Sequence, residues 1–420
     1  MVKKISTQQL VVGMKVHSFV DYQVGNNDLK IGTLESDNEI QTILKCGIKE
    51  VLIDTSDGVS TEAGQTQQEV ERLLHEQLME LEGPAAPSPP DIVHDGPEDY
   101  TAQEWQNAIH SAARIGNDAQ KIMRQMMDDV RLGKKVDNRL VQRSVGRMIG
   151  SIRRHPDALI SLALLRDSDD TIYQHSVNVA IYLTAFCQSL GMDEQTIVDV
   201  GSGGLLHDIG RAKQLNDPSK KPGPLSSSER AIVEQHVTIG LEILDGLPGI
   251  NRNTLTVVAQ HHEQKNGQGY PNKLPNARIH KFGHMAAIVD TYDAITTHRI
   301  YHKRMDSHNA LKKMLEWSPA QYDEALFEQF IRTIGIYPVG SLVRLKNQLL
   351  GLVVRNNRSS LLHPVVKILY DINKKSPVRP QTINLIRFRH TVEYQIDDFE
   401  QPKRWGITPM AHLPMGASAG

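Results

Sequence analysis

Five histidines and two aspartates, His175, His207, Asp208, His236, His261, His262 and Asp290, are spread over five apolar segments of one stretch of the chain. No other feature constrains the fold as strongly. Burying two adjacent imidazoles such as His261 and His262 without partners costs several kcal/mol. Asp290 closes the apolar run Ala286-Ala287-Ile288-Val289, where an unpaired carboxylate would be expensive. A cation removes both costs. The seven residues therefore predict a metal site, built where several buried helices meet.

A chain of 420 residues predicts two or three domains and a large core. The net charge of −2 gives no global field toward a nucleic acid polymer or a membrane surface, and 5% aromatic content argues against a base-stacking surface. Cys46 and Cys187 cannot make a disulfide framework; Cys187 lies in an apolar helical run, as a small core residue does. No apolar run reaches the roughly 18 residues of a membrane span. Met1-Val2-Lys3-Lys4 is not followed by an apolar signal core. The expectation is a cytoplasmic protein without a membrane span.

The expected fold is mainly α: a helical bundle with a dinuclear metal site, a small α+β module before it and a short β-rich extension after it. In residues 1–82, Ile5, Leu10, Val12, Met14 and Val16 alternate loosely as in a strand. The 35–46 stretch reads as a short helix and Val51-Leu52-Ile53 as a strand. A trailing helix follows over Gln67–Leu81; it either packs on its own chain or forms a homodimer. Residues 83–97 carry five prolines and read as a linker.

Residues 98–340 are the helical domain. Trp105, Ile109, Ala112, Ile115 and Ala119 keep one face apolar. Val177–Cys187 is apolar nearly all round and predicts a buried helix. Ile197–Leu206 predicts another, with Gly201, Gly203 and Gly204 allowing close packing. Ser226 and Glu229 have capping-box spacing. In residues 341–405 short strands are expected at 341–345, 350–354 and 365–369, and Lys and Arg outnumber Asp and Glu there, as on a solvated basic face. Residues 406–420 are expected to be disordered.

The seven ligand-type residues divide naturally. His175, His207, Asp208 and Asp290 would hold a first metal; Asp208, His236, His261 and His262 a second, with Asp208 bridging. Imidazole and carboxylate without thiolate suit Fe or Mn, with Zn also fitting, and disfavour Ca or Mg. Two such divalent ions a few ångströms apart suit phosphodiester or phosphomonoester hydrolysis. The Gly267-Gln268-Gly269-Tyr270-Pro271 loop would lie near the mouth of the site, with Tyr270 in reach of substrate. Arg211 follows Gly210 and would leave the helix end close to Asp208 as a catalytic clamp.

At these residues the chain resembles the HD-GYP family of cyclic di-GMP phosphodiesterases. Four segments carry the resemblance: Tyr173-Gln174-His175-Ser176-Val177-Asn178-Val179-Ala180; His207-Asp208-Ile209-Gly210; His261-His262-Glu263 followed by Gly267 and Gly269-Tyr270-Pro271; and Asp290-Thr291-Tyr292-Asp293-Ala294-Ile295-Thr296 with Arg299 and Tyr301. They span roughly residues 150–340. Gln9-Leu10-Val11-Val12-Gly13-Met14-Lys15-Val16 resembles an uncharacterised domain that often precedes HD-GYP.

The resemblance implies hydrolysis of cyclic di-GMP to linear pGpG, in some members onward to GMP, in bacterial signalling. Other relatives prefer cyclic GMP-AMP, and a degenerate member would act as a dinucleotide sensor. It also implies that the seven residues are the metal ligands, that Arg299 contacts phosphate with Lys303 or His302 beside it, and that the Gly267–Pro271 loop meets GGDEF-domain partners. Two departures stand out. Arg211 replaces the usual lysine, and Thr171, next to Asp169 and Asp170, stands where three-metal members have a glutamate.

Overall fold

A computed structural model describes residues 2–19, 32–45, 48, 50–55, 65–66, 73, 76–77, 80, 102–165, 171–214, 218, 225–297, 305–357 and 360–413. The expected linker, most of the Gln67–Leu81 helix, and Arg299, Tyr301, His302 and Lys303 lie outside these residues.

Strands β1 (Val2–Ser6), β2 (Lys15–Phe19), β3 (Gly32–Thr33), β4 (Glu50–Asp54) and β5 (Gln65–Thr66) make an antiparallel sheet in the order β3-β2-β4-β1-β5. Helix α1 (Asp37–Lys45) adds Ile40 and Ile43 to a core of Ile5, Met14, Val16, Val51 and Ile53. The loose alternation from Ile5 to Val16 is not one strand. Ser6 caps a 3-10 turn at Thr7–Gln9 and breaks it in two, which leaves Val12 42% exposed.

The helices are α2 (Ala102–Arg131), α3 (Asn138–Arg154), α4 (Pro156–Leu165), α5 (Thr171–Ser189), α6 (Glu194–Leu206), α7 (Ser227–Glu234), α8 (His236–Leu244), α9 (Arg252–Gln260), α10 (Lys281–Thr296), α11 (Ser307–Gln321) and α12 (Glu324–Ile334). Their starts are written locally. Asp137, Asp193, Asn251, Asp306 and Asp323 accept from first-turn amides of α3, α6, α9, α11 and α12, satisfying donors no helix can satisfy itself. Ser226 and Glu229 form the expected capping box on α7. Helix α5, apolar on every side, lies in the middle of the core. Gly203 and Gly204 of α6 face Val257 and the backbone of Ala180, so α6 sits close against α9 and α5.

Strands β6 (Leu342–Leu345), β7 (Leu349–Asn357), β8 (Ser360–Asp371), β9 (Ser376–Asn384) and β10 (Ile396–Glu400) form a second antiparallel sheet, ordered β10-β6-β7-β8-β9. The three expected strands are present; β7 and β8 run longer than expected, and β9 and β10 are additional. Strand β9 carries Pro377 and Pro380, which hide it from a strand pattern and suit the sheet edge it occupies. The sheet shares one hydrophobic core with the helices, through residues such as Ile334, Tyr337, Val343 and Leu352. Position 340 is thus a change of secondary structure rather than a break in the core. Of the tail expected to be disordered, residues 407–413 are ordered: Ile407 and Leu413 are buried around α13 (Pro409–His412), and Lys367 Nζ donates to the His412 carbonyl; residues 414–420 lie outside the described residues. Two apolar side chains reaching the core order a segment whose composition reads as loose.

Candidate metal centre

The seven side chains come together at the ends of four helices and the middle of a fifth. His175 lies on α5 and Asp290 on α10; His207 caps the C-terminus of α6, with Asp208 next; His236 begins α8; His261 caps the C-terminus of α9, with His262 next. All are buried except His262, which is half-buried. Gly210 makes the convergence possible. A Cβ there would fall on the His236 carbonyl, so only glycine lets the 3-10 turn Ile209–Lys213 press against α8.

Three imidazoles share one orienting device. His207 Nδ1 donates to Gly204 O at 2.7 Å, His236 Nδ1 to Val233 O at 2.7 Å, and His261 Nδ1 to Val258 O at 2.9 Å. Each carbonyl lies three residues back. With Nδ1 carrying the proton, each Nε2 is left as a lone pair. Those lone pairs point inward: His236 Nε2 and His261 Nε2 are 3.2 Å apart, and His207 Nε2 is buried without a hydrogen-bond partner. Two acceptors facing each other at that distance repel unless a cation lies between them. Among the described residues the donor atoms fall into two groups, His236, His261 and His262, and His175, His207 and Asp208, each within 4.8 Å. The donor set fits divalent metal.

Two carboxylates link the groups. Asp208 Oδ1 is 3.1 Å from His236 Nε2, and its Oδ2 is 3.7 Å from His207 Nε2. Asp290 Oδ1 is 2.9 Å from His175 Nε2 and 3.7 Å from His207 Nε2, while its Oδ2 is 3.5 Å from His262 Nδ1. Asp290 thus reaches both groups, although the sequence suggests that role for Asp208 alone.

The electrostatics follow. Burial works against the charge on Asp208, yet the Arg211 guanidinium and the neighbouring imidazoles hold its carboxyl well below the usual range. Burial also opposes the charge on Asp290, but the His175 hydrogen bond and the nearby His262, His175 and His207 imidazoles together hold its carboxyl well below the usual range. Burial pushes His236 down to about 4 and His262 to about 3, and lowers His207 and His261 too, so these four are neutral and able to ligate. His175 is the exception. Burial would lower it, but hydrogen bonds with Asp290 and Asp293 raise it to about 9.

Asp293 was not picked out from the sequence as a functional residue. Its Oδ2 is 2.7 Å from His175 Nδ1, while Asn178 Nδ2 donates to its Oδ1 at 2.8 Å. A carboxylate behind a ligand imidazole fixes the ring and its tautomer. The signal was present: Asp293 follows Asp290 by three residues, hence on the same helix face. Arg211 does turn toward the site, with Nε 2.8 Å from Asp208 Oδ1. The Tyr270 ring lies 4.4 Å from the His262 ring, centroid to centroid, tilted by 31°. The Thr171 side chain, Asp169 and Asp170 lie outside the described residues.

The chain matches known families and relatives. Residues 160–326 match the HD domain family, and residues 2–141 match DUF3391, a domain of unknown function. The chain is 32% identical over 418 residues to the cyclic di-GMP phosphodiesterase PA4108 of Pseudomonas aeruginosa, covering 99% of this chain and 96% of that one. It is 28% identical over 155 residues to the 3'3'-cGAMP-specific phosphodiesterase 2 of Vibrio cholerae, covering 37% of this chain and 30% of that one. A cyclic di-GMP phosphodiesterase of Thermotoga maritima is 28% identical over 165 residues, 39% of this chain and 45% of that one.

Proposed function

The chain belongs to the family of the P. aeruginosa phosphodiesterase PA4108, HD domain proteins with an N-terminal DUF3391, and from that premise we propose that it hydrolyses cyclic di-GMP to linear pGpG with two bound divalent metal ions. The observation that carries the reading is the inward convergence of imidazole lone pairs on two carboxylates that each reach both donor groups. His175, His207, Asp208 and Asp290 would hold one ion and Asp208, His236, His261 and His262 the other, with Fe or Mn the best match to the donors and Zn also compatible. Divalent ions so placed would neutralise a phosphoryl group and acidify a water molecule.

The chain's own residues do the rest. Asp293 holds the His175 ring. Arg211 keeps Asp208 ionised and carries a guanidinium to the edge of the site, where a planar fork can grip a phosphate oxygen. A lysine there could also pass a proton; arginine cannot, because its pKa is far above neutrality. Tyr270 presents an aromatic face beside His262 on which a base or ribose can rest. Arg299 and Lys303 complete the proposed phosphate contacts. We place the reaction in the cytoplasm; among the described residues no helix is long and apolar enough to cross a membrane. The exposed Asn266 and Gln268 are what the loop would offer a GGDEF-domain partner, and the Gln67–Leu81 helix is the proposed homodimer contact.

The test incubates Mn- or Fe-loaded protein with cyclic di-GMP and, separately, with 3'3'-cGAMP, and resolves the products. Conversion of cyclic di-GMP to pGpG is expected. Faster conversion of 3'3'-cGAMP would reassign the substrate, binding without cleavage would make the chain a sensor, and indifference to both would end the reading.

A further inference from the structure

His262 is held differently from the other site imidazoles. His207, His236 and His261 are each locked by a carbonyl three residues back, and His175 by Asp293. Among the described residues His262 makes no hydrogen bond that fixes its ring. Apart from the 3.5 Å approach of its Nδ1 to Asp290 Oδ2, its position depends on ring packing, with His261 at 4.1 Å and Tyr270 at 4.4 Å. Tyr270 belongs to a loop that a helix does not support. What holds that loop is therefore what holds His262.

The loop is clamped from beneath by Glu263. This carboxylate is fully buried and follows His262 directly. Its Oε1 accepts from Asn272 N at 2.8 Å and its Oε2 from Leu274 N at 2.9 Å. Both amides lie just beyond Tyr270. On the near side Tyr270 N donates to His262 O at 3.1 Å. Gly269 fits because a Cβ at that position would fall on the backbone of His262, Glu263 and Gln264. The loop thus folds back over the residues that precede it, pinned on both sides of Tyr270. A buried carboxylate that uses both oxygens on two backbone amides makes a strong, directional anchor.

We infer that Glu263 is a positioning residue, which clamps the Gly267–Leu274 loop so that the Tyr270 ring fixes the His262 imidazole for metal binding. This rests on the reading of His262 as a ligand. The role passes through Tyr270 and needs no contact between Glu263 and metal or substrate. It also separates the Tyr270 ring, which matters for the metal, from its hydroxyl, which this role does not use.

The experiment is a calorimetric Mn(II) titration of the full chain, with metal content measured independently, on wild type, Glu263→Gln, Glu263→Ala, Tyr270→Phe, Tyr270→Ala and the Glu263→Ala/Tyr270→Ala double variant. Outer groups that orient a metal ligand are worth about 10–100-fold in affinity. Glu263→Ala and Tyr270→Ala should each weaken one Mn(II) equivalent by that factor and leave the other unchanged. Tyr270→Phe keeps the ring and should bind like wild type. Glu263→Gln keeps one acceptor and should fall between, and it preserves the test if Glu263→Ala does not fold. The double variant should bind no worse than the weaker single variant, because both substitutions break one chain of support. Losses that multiply in the double variant, or wild-type affinity in both Glu263 variants, overturn the inference while leaving the metal site standing. A wild-type protein that takes up no metal overturns the site itself, and the inference with it.

Discussion

In the N-terminal sheet, Thr7 is the one buried polar side chain among the described residues, and its hydroxyl donates to Ile48 O. The helical core instead encloses His175, His207, His236, His261, Asp208, Asp290, Asp293 and Glu263. The first core is stabilised chiefly by transfer of apolar surface from water. The second gives up part of that gain to bury charges, and recovers it only if every charge finds a partner. A protein tolerates such a concentration of buried ionisable groups where it performs chemistry. The two regions therefore differ in character: among the described residues the first buries no ionisable side chain, whereas the second gathers the donor cluster. They meet where Lys4 of β1 lies 2.7 Å from Glu50 and 3.6 Å from Glu316 of α11.

The largest test of that division is Asp208→Ala. It removes the carboxylate that reaches both donor groups and leaves Arg211 without its partner. Metal analysis should find the bound ions lost, and hydrolysis should be abolished while circular dichroism still reports the helical fold. Two tightly bound ions and normal turnover in this variant would show that Asp208 is not central.

Arg211→Ala is next. Loss of an electrostatic clamp of this kind is worth roughly 10²–10³ in rate, and steady-state kinetics at matched metal content should show it. Arg211→Lys should raise kcat with little change in substrate binding. A wild-type rate in Arg211→Ala would remove this side chain from the mechanism.

Asp293→Asn comes third, with metal affinity about 10–100-fold weaker in equilibrium dialysis. Asp290 and this carboxylate together set a pH dependence. In the metal-free protein His175 is raised to about 9, so its contribution to stability is full below its unfolded value near 6.5 and is lost as pH rises through about 9. Metal must displace that proton. Affinity should therefore climb between pH 7 and 9 in wild type, and titrations in buffers of different ionisation enthalpy at pH 7 should show proton release. Flat affinity over that range would contradict the assignment.

Ile53→Ala probes the other core. Truncating this fully buried side chain should cost about 2–5 kcal/mol in that module, seen in denaturant unfolding, while metal content and kcat stay within twofold. The smallest effect belongs to Lys4→Ala at the join. Lys4 and Glu316 expose only 16% and 8% of their side chains, but Glu316 keeps Lys313 at 2.9 Å, so the loss should be held to about 1–2 kcal/mol. A large loss of activity in either variant would mean that the two regions are coupled through the chemistry.

The seven side chains that the structure brings together were singled out in the sequence as a cluster of ligand-type residues, most plainly at Asp290, which closes an apolar run. Helix existence was legible for local reasons: periodicity, caps such as Ser226 with Glu229, and the apolar circumference of α5. The distant pairings were not. Asp293 finds His175 across 118 residues, and its three-residue step from Asp290 marks a shared helix face but not that partner. The β9 and β10 edges and the order around Leu413 were hidden because prolines and small polar residues obscure strand and core patterns until a partner surface exists. Sequence by itself determined which side chains could not be buried alone. Only the tertiary structure decided which atoms satisfy them, because a hydrogen bond depends on position and direction in space, and those are fixed when the helices pack.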